Sequence, residues 1–241
     1  MIDTTLDLRD DAGARDPDTY SPTLRRYHRL LWSKTLPDGR AFELEAPTRR
    51  GRYLYHSSEA GEFFLASDTV VPTFRSYAAR GMPALIAEVP NAELDAFQRL
   101  NHTIGGMMVF PGDRRPGVGQ TMNGARGFNP AISDRFDLTV ECIRRHYEEP
   151  AGVNPLAATL RGYADFFALF GDFGGYVEFF LLEDLLDPDL RFFLPFDGFS
   201  RSALPQDVGE YRSYRDRACA FLERRNARIA AWSAEHLSDE S

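Results

Sequence analysis

Pro130-Ala-Ile-Ser-Asp-Arg-Phe-Asp-Leu-Thr-Val-Glu-Cys-Ile-Arg-Arg-His-Tyr147 is the most regular stretch of this 241-residue chain. Its apolar residues Ile132, Phe136, Val140, Ile143 and Tyr147 recur at spacings of four, four, three and four. That is the period of one helix face, and Asn129-Pro130 supplies an opening signal, so a helix is expected over about 130–148. C-terminal to it the pattern stays helical. Asn154-Pro155 opens a helix with Leu156, Leu160, Tyr163, Phe167 and Phe170 on its face. Tyr176–Leu186 is apolar on most sides and reads as a buried helix. Asp207, with Glu210 three residues on, starts a long terminal helix to about Ala234. Only Leu190–Pro195 reads as a strand in this half.

N-terminal to the same stretch the period changes. After one helix, capped by Ser21-Pro22 and bearing Leu24, Tyr27 and Leu31, a turn at Pro37-Asp38-Gly39 leads into β-like runs. These are Ala41–Glu45, Tyr53–Ser57 and Glu62–Ser67, with turn chemistry suited to hairpins. Asn91 is expected to cap a helix over Ala92–Leu100, and Thr103–Phe110 reads as a further strand weakened by Gly105-Gly106. Strands early and helices late predict an α+β fold: a small, mostly antiparallel sheet from the N-terminal half packed against a helical C-terminal half. No repeat or long linker divides the chain, so 21–234 is expected to form one domain between two acidic tails, 1–20 (flexible) and 235–241.

The net charge of −8 is concentrated in those ends. Residues 1–20 carry six aspartates against Arg9 and Arg15, and residues 235–241 add Glu235, Asp239 and Glu240, leaving the body near −1. Charge therefore does not oppose a nucleotide or nucleic-acid partner. No run of eighteen apolar residues spans a bilayer, which predicts no membrane partner, and the acidic start is unlike a signal peptide. Two cysteines, Cys142 and Cys219, are too few for a disulfide framework, so the reducing cytoplasm is the expected setting. Of the 28 basic residues, 27 are arginine and one, Lys34, is lysine. No glycine-rich loop precedes Lys34, which argues against a P-loop. With a single lysine available, Schiff-base chemistry and lysine-dependent nuclease cores are also disfavoured.

The face of the 130–148 helix opposite its apolar stripe bears Asp134, Asp137, Glu141, Arg144, Arg145 and Glu148. Residues three or four apart can pair there, and one reading is a solvated, ion-paired face. The other reading starts from the glycine-flanked turn that feeds the helix. Asn123 and Arg126 lie in that turn, where free N–H groups and the helix dipole favour an anion. On that reading Asn123, Arg126, Arg135, Arg145 and His56 bind a phosphate-bearing ligand. Asp134, Asp137 and Glu141 then act as acid/base groups or hold a divalent cation. The rival is a non-catalytic interaction protein whose aromatic surplus includes a partner or homo-oligomer surface.

Thr121-Met-Asn-Gly-Ala-Arg-Gly127 together with Ile132–Tyr147 resembles the signature of an uncharacterised bacterial and phage family. So do Leu31-Trp-Ser-Lys34, Ser67-Asp68, Phe166-Phe-Ala-Leu-Phe170 and Gly175-Tyr-Val-Glu-Phe-Phe-Leu-Leu182. The resemblance spans about 19–230 and implies no activity, because the family is known only as a domain of unknown function.

Other motifs are weaker. Cys142 and His146 are four apart, but Cys142 borders the apolar stripe and reads as core; no metal-ligand spacing occurs. Gly112-Asp-Arg-Arg-Pro-Gly-Val-Gly119 lacks the lysine of a phosphate loop and reads as a mobile connection. Tyr55-His-Ser-Ser58 followed by Phe63–Ser67 is similar to the His/Ser pairing of NAD-dependent ADP-ribosyltransferases, without their third-strand glutamate.

Overall fold

Alternation along residues 61–69 builds the centre of the sheet. In the computed structural model, which describes residues 1–45, 54–75 and 82–237, Phe63, Leu65 and Ser67 are buried while their neighbours are not. Strand β4 (Gly61–Thr69) pairs antiparallel with β3 (Leu54–Ser58) on one side and β5 (Met107–Pro111) on the other. Its register sets Leu65 against Leu54 and Asp68 against Met108. A two-stranded hairpin, β1 (Lys34–Thr35) with β2 (Ala41–Phe42), turns at Asp38-Gly39. Tyr53, expected to open a strand, lies outside the described residues.

The N-terminal half also supplies α1 (Leu8–Asp11), α2 (Pro17–Tyr20), α3 (Pro22–Trp32), α4 (Pro83–Ala87) and α5 (Asn91–Asn101). Ser21 caps α3 by accepting from Leu24 N, as the sequence predicts. α5 is entered from Pro90 and has no side-chain cap, so Asn91 is its first residue rather than its cap. The helical half comprises α6 (Met122–Phe128), α7 (Phe136–Glu148), α8 (Ala157–Gly162), α9 (Ala164–Ala168), α10 (Phe173–Phe179) and α11 (Val208–His236). This is the expected α+β arrangement, with sheets in the N-terminal half and helices dominating the C-terminal one.

Several boundaries differ from the sequence reading. The turn at 121–127 is itself a helix, α6, capped by Thr121. The next helix starts at Phe136 instead of Pro130, because Ser133 and Asp134 take left-handed backbone angles (φ 47° and 65°) that a helix cannot continue through. Residues 176–186 break at Leu181 (φ 54°), leaving α10 and a short 3-10 turn at Glu183–Leu186. Leu190–Pro195 is not a strand; the N–H of Phe193 is taken by the Asp137 carboxylate instead of by a neighbouring strand.

The first part of the 103–110 segment is a 3-10 turn, and its two glycines answer close approaches. A β-carbon on Gly105 would stand 2.5 Å from Asn226 Oδ1, and one on Gly106 would stand 2.0 Å from Asn101 O. Asn226 belongs to α11, whose 29 residues extend about 43 Å at helical rise. Its buried stripe of Tyr211, Tyr214, Ala218, Phe221, Leu222, Arg225, Ile229 and Ser233 runs along the whole core. Asp207 caps it by accepting from Glu210 N, and Glu210 accepts from the N–H of Gln206, the residue before the cap.

Residues 1–20, expected as a flexible tail, are packed. Ile2, Leu8 and Ala12 are buried, and the Leu8 N–H donates to His102 O at 3.0 Å. Averaged charge concealed three apolar anchors among the aspartates. At the other end α11 continues to His236, past the start of the expected 235–241 tail, of which 238–241 lie outside the described residues.

Candidate functional site

The expected polar face of α7 is not a solvated one. Asp137 and Glu141 are buried, 2% and 4% exposed, and so is Arg135 at 2%. Arg135 grips Asp137 through Nε at 3.1 Å and through Nη2, and spends Nη1 on Ala203 O at 3.0 Å. The same Asp137 accepts from Phe193 N at 2.9 Å, so this pair fastens the 193–203 segment to the core. Glu141 accepts from Arg144 (2.8 and 2.9 Å), Arg145 (2.8 Å) and Arg191 (3.1 Å). Burial pushes its carboxyl up, but the three guanidiniums outweigh that and hold it down at about 2. Arg145 also donates to Val153 O at 2.6 Å and lies over Phe199. Both acids are thus engaged by arginines, at the edge of a hollow of about 250 Å³ that Asp137, Glu141, Arg144 and Arg191 line.

Asn123, Arg126 and Asp134 do come together, around an arginine with no exposed surface. Arg126 donates from Nε to Thr139 Oγ1 at 3.1 Å and from Nη2 to Asp134 O at 3.0 Å and Val70 O at 3.4 Å. Its Nη2 lies 3.1 Å from Asp134 Oδ1, and its Nη1 donates to Asp68 Oδ2 at 3.4 Å. The left-handed turn at Ser133–Asp134 aims the Asp134 carbonyl back at this guanidinium. Asn123 donates to Ser67 O at 3.4 Å, while its buried Oδ1 accepts no hydrogen bond. Asp68, part of the Ser67-Asp68 pair that carries the family resemblance, is thus the second carboxylate of the cluster. Burial pushes its carboxyl up, Arg126 opposes, and the charges of Asp134 and Asp16 add to the push.

His56 is not part of this group. It stacks on Phe42 at 4.1 Å, with Nδ1 2.8 Å from Glu43 O and Nε2 2.7 Å from Ser58 Oγ, beside a separate hollow formed by β2 and β3. The third strand, β5, carries no acidic residue. Among the described residues no group of three or more His, Cys, Asp or Glu side chains is placed to hold a metal ion. Cys142 is buried and its thiol is pushed up by that burial to about 12, which makes it core. The 112–119 loop is pinned rather than free: Arg115 pairs with Asp113 and Asp165, and Tyr163 donates to Asp113 O at 2.6 Å.

A cleft of about 550 Å³ lies elsewhere, at the one lysine. Ser33 ends α3 in an extended conformation, and Lys34 follows as the first residue of β1. Its Nζ donates to Phe179 O at 2.7 Å and stands 4.4 Å from the Trp232 ring, 5.2 Å from Trp32 and 5.3 Å from Phe179. No carboxylate among the described residues is ion-paired with it. Burial pushes the amine down to about 7; Glu183 and Glu178 pull it up, and Arg225 adds to the depression. The facing wall is Phe170–Asp172, Gly174, Gly175, Glu178 and Phe179, closed by Trp232 from α11. Gly175 is needed there, since a β-carbon would stand 2.1 Å from Phe170 O. Behind the lysine, the fully buried Arg225 is met by oxygens of Gly105 and Met107 at 2.9 Å and of Phe180 at 3.2 Å.

The sequence reading missed this cleft, because its walls come from residues 34–37, 170–179 and 232. Its one visible signal was a lone lysine among 27 arginines. Three segments quoted for the resemblance, 31–34, 166–170 and 175–182, each contribute to the cleft wall.

A family model described as "Family of unknown function (DUF6994)" matches residues 2–229, and the chain belongs to that family. No curated protein and no solved structure matches it. No described helix is long and apolar enough to cross a membrane.

Proposed function

We propose, with that family membership as premise, that the chain binds a small organic molecule in the cleft at Lys34. One observation carries the reading: the only lysine, held between Trp232 and Phe179 without an ion-pair partner among the described residues, faces a cavity of ligand size. Ligand sites are typically concave and apolar, with few polar groups and shifted pKa values, and this cleft has that make-up. The setting we assign is the reducing cytoplasm of a bacterial or phage-infected cell, in keeping with two free cysteines raised by burial.

A phosphate-bearing ligand such as a nucleotide or nucleic acid, bound at 123–146, is the second reading. Its support is the unused Oδ1 of Asn123 beside Asp68, which keeps about a third of its side chain in solvent. Against it, Arg126 and Arg135 already face carboxylates, which an anion would have to displace. Homo-oligomerisation is a separate proposal, read out by the mass of the chain in solution.

Thermal-shift screening with nucleotides, NAD, inorganic phosphate, divalent ions and small aromatic or carbonyl compounds tests both readings, since a ligand of the folded state raises Tm. The cleft reading expects hits among uncharged organic compounds that quench Trp232 fluorescence and are lost in Lys34→Met and Trp232→Phe. Hits confined to phosphates, insensitive to Lys34→Met and lost in Asn123→Ala, would overturn it in favour of the second.

A further inference from the structure

We propose, against the expectation drawn from the scarcity of lysine, that Lys34 is a nucleophilic amine that condenses reversibly with an uncharged aldehyde or ketone bound in the cleft. The inference rests on the cleft being a ligand site and adds the chemical class of the ligand. A lysine at the surface needs no particular surroundings, and this chain uses arginine at every other basic position. Lys34 instead sits where only an amine serves. A guanidinium cannot give up its proton at ordinary pH, whereas an ammonium in a partly dry aromatic setting can. The electrostatic surroundings lean the same way: Arg225 stands behind Lys34, Glu183 and Glu178 act from the side of α10 and the turn after it, and burial outweighs both acids.

The step balances without any further reagent. The Nζ lone pair adds to the carbonyl carbon, and the oxygen takes up a proton to give a carbinolamine. Both amine protons leave with the carbonyl oxygen: one has passed to it in forming the carbinolamine, the second goes to the departing hydroxyl, and the water escapes at the exposed mouth beside Gly174 and Glu178, leaving the imine. Only the Phe179 carbonyl must be released, and it accepts just one hydrogen bond from the amine. The rim selects the ligand. Besides Lys34 its charged side chains are Asp172 and Glu178, so a keto acid is repelled, while the rings of Phe170, Phe179 and Trp232 suit an uncharged aromatic or aliphatic carbonyl compound.

Trapping with cyanoborohydride tests this on the full chain, since hydride reduction turns the imine into a stable secondary amine. Benzaldehyde and pyruvate are compared between pH 6 and 10, with peptide mass mapping to separate Lys34 from the terminal amine of Met1. Expected is benzylation of Lys34 at pH 7 about tenfold or more faster than of the same lysine in the urea-unfolded chain, with a rate inflection near neutrality and little reaction with pyruvate. Lys34 reacting no faster than in the unfolded chain, while Met1 is modified, overturns the proposal. Benzyl alcohol, which has no carbonyl, separates the two failures. Quenching of tryptophan fluorescence by the alcohol that is lost in Trp232→Phe, without trapping, sinks the imine and leaves the cleft a ligand site; no such quenching by either compound sinks both.

Discussion

A glutamate with arginines three and four residues onward is ordinarily an exposed ion pair worth a few tenths of a kcal/mol. Glu141 differs because Arg191, fifty residues away, closes the ring over a buried carboxylate. Its folded pKa of about 2 lies below the ordinary 4.5, so the unfolded chain binds the extra proton between those values. The resulting stability is fully present above about pH 4.5 and is lost as pH falls through 2. Glu141→Gln is expected to cost about 3 kcal/mol in urea unfolding at pH 7, with the gap to the parent closing toward pH 2. The Arg144 and Arg145 partners could be read from helical spacing. Arg191 could not, since its position depends on the 187–195 segment, whose course Asp137 and Phe193 fix. The same holds for Arg126: its neighbours Asn123 and Asp134 follow from adjacency in sequence, whereas Asp68 enters only through the register of β4 with β5.

At the scale of elements, what periodicity encodes is the buried stripe, and α7 and α11 were legible for that reason. What it does not encode is where a helix begins when the preceding residues turn left-handed, as Ser133 and Asp134 do. Nor does it reveal that a glycine pair marks crowding. Gly105-Gly106 looks like a flaw in a strand, yet the pair admits α11 to the foot of β5, where the Gly105 N–H donates to Asn226 Oδ1 at 2.8 Å. Gly105→Ala is expected to destabilise the protein by about 1–3 kcal/mol through overpacking. Gly119→Ala, with nothing within 4 Å of the new carbon, is the matched control and should stay within about 0.5 kcal/mol. Equal effects of the two substitutions on the urea midpoint would count against the crowding account.

For the whole molecule, the core draws on both ends of the chain. Ile2 N reaches toward Ser233 Oγ at 3.5 Å, and Leu8 is fully buried. If the first twenty residues were a solvated tail, Leu8→Ala would be silent; packed as they are, it should cost about 2–5 kcal/mol and lower Tm accordingly. The distribution of cations is the other global property. Arg225 is fully buried and held by backbone carbonyls, with no ion-paired carboxylate among the described residues, and its charge helps to depress the Lys34 amine.

Because Lys34 is the only lysine, an endoprotease specific for lysine has one bond to cut, the one joining Lys34 to Thr35. That bond lies inside the β1–β2 hairpin, with the Lys34 side chain turned toward Phe179. Cleavage must wait for the hairpin to come away from α10 and α11. A single cut, giving two fragments, then counts how often that side of the protein opens, and an occupant of the cleft would slow it in proportion to its binding.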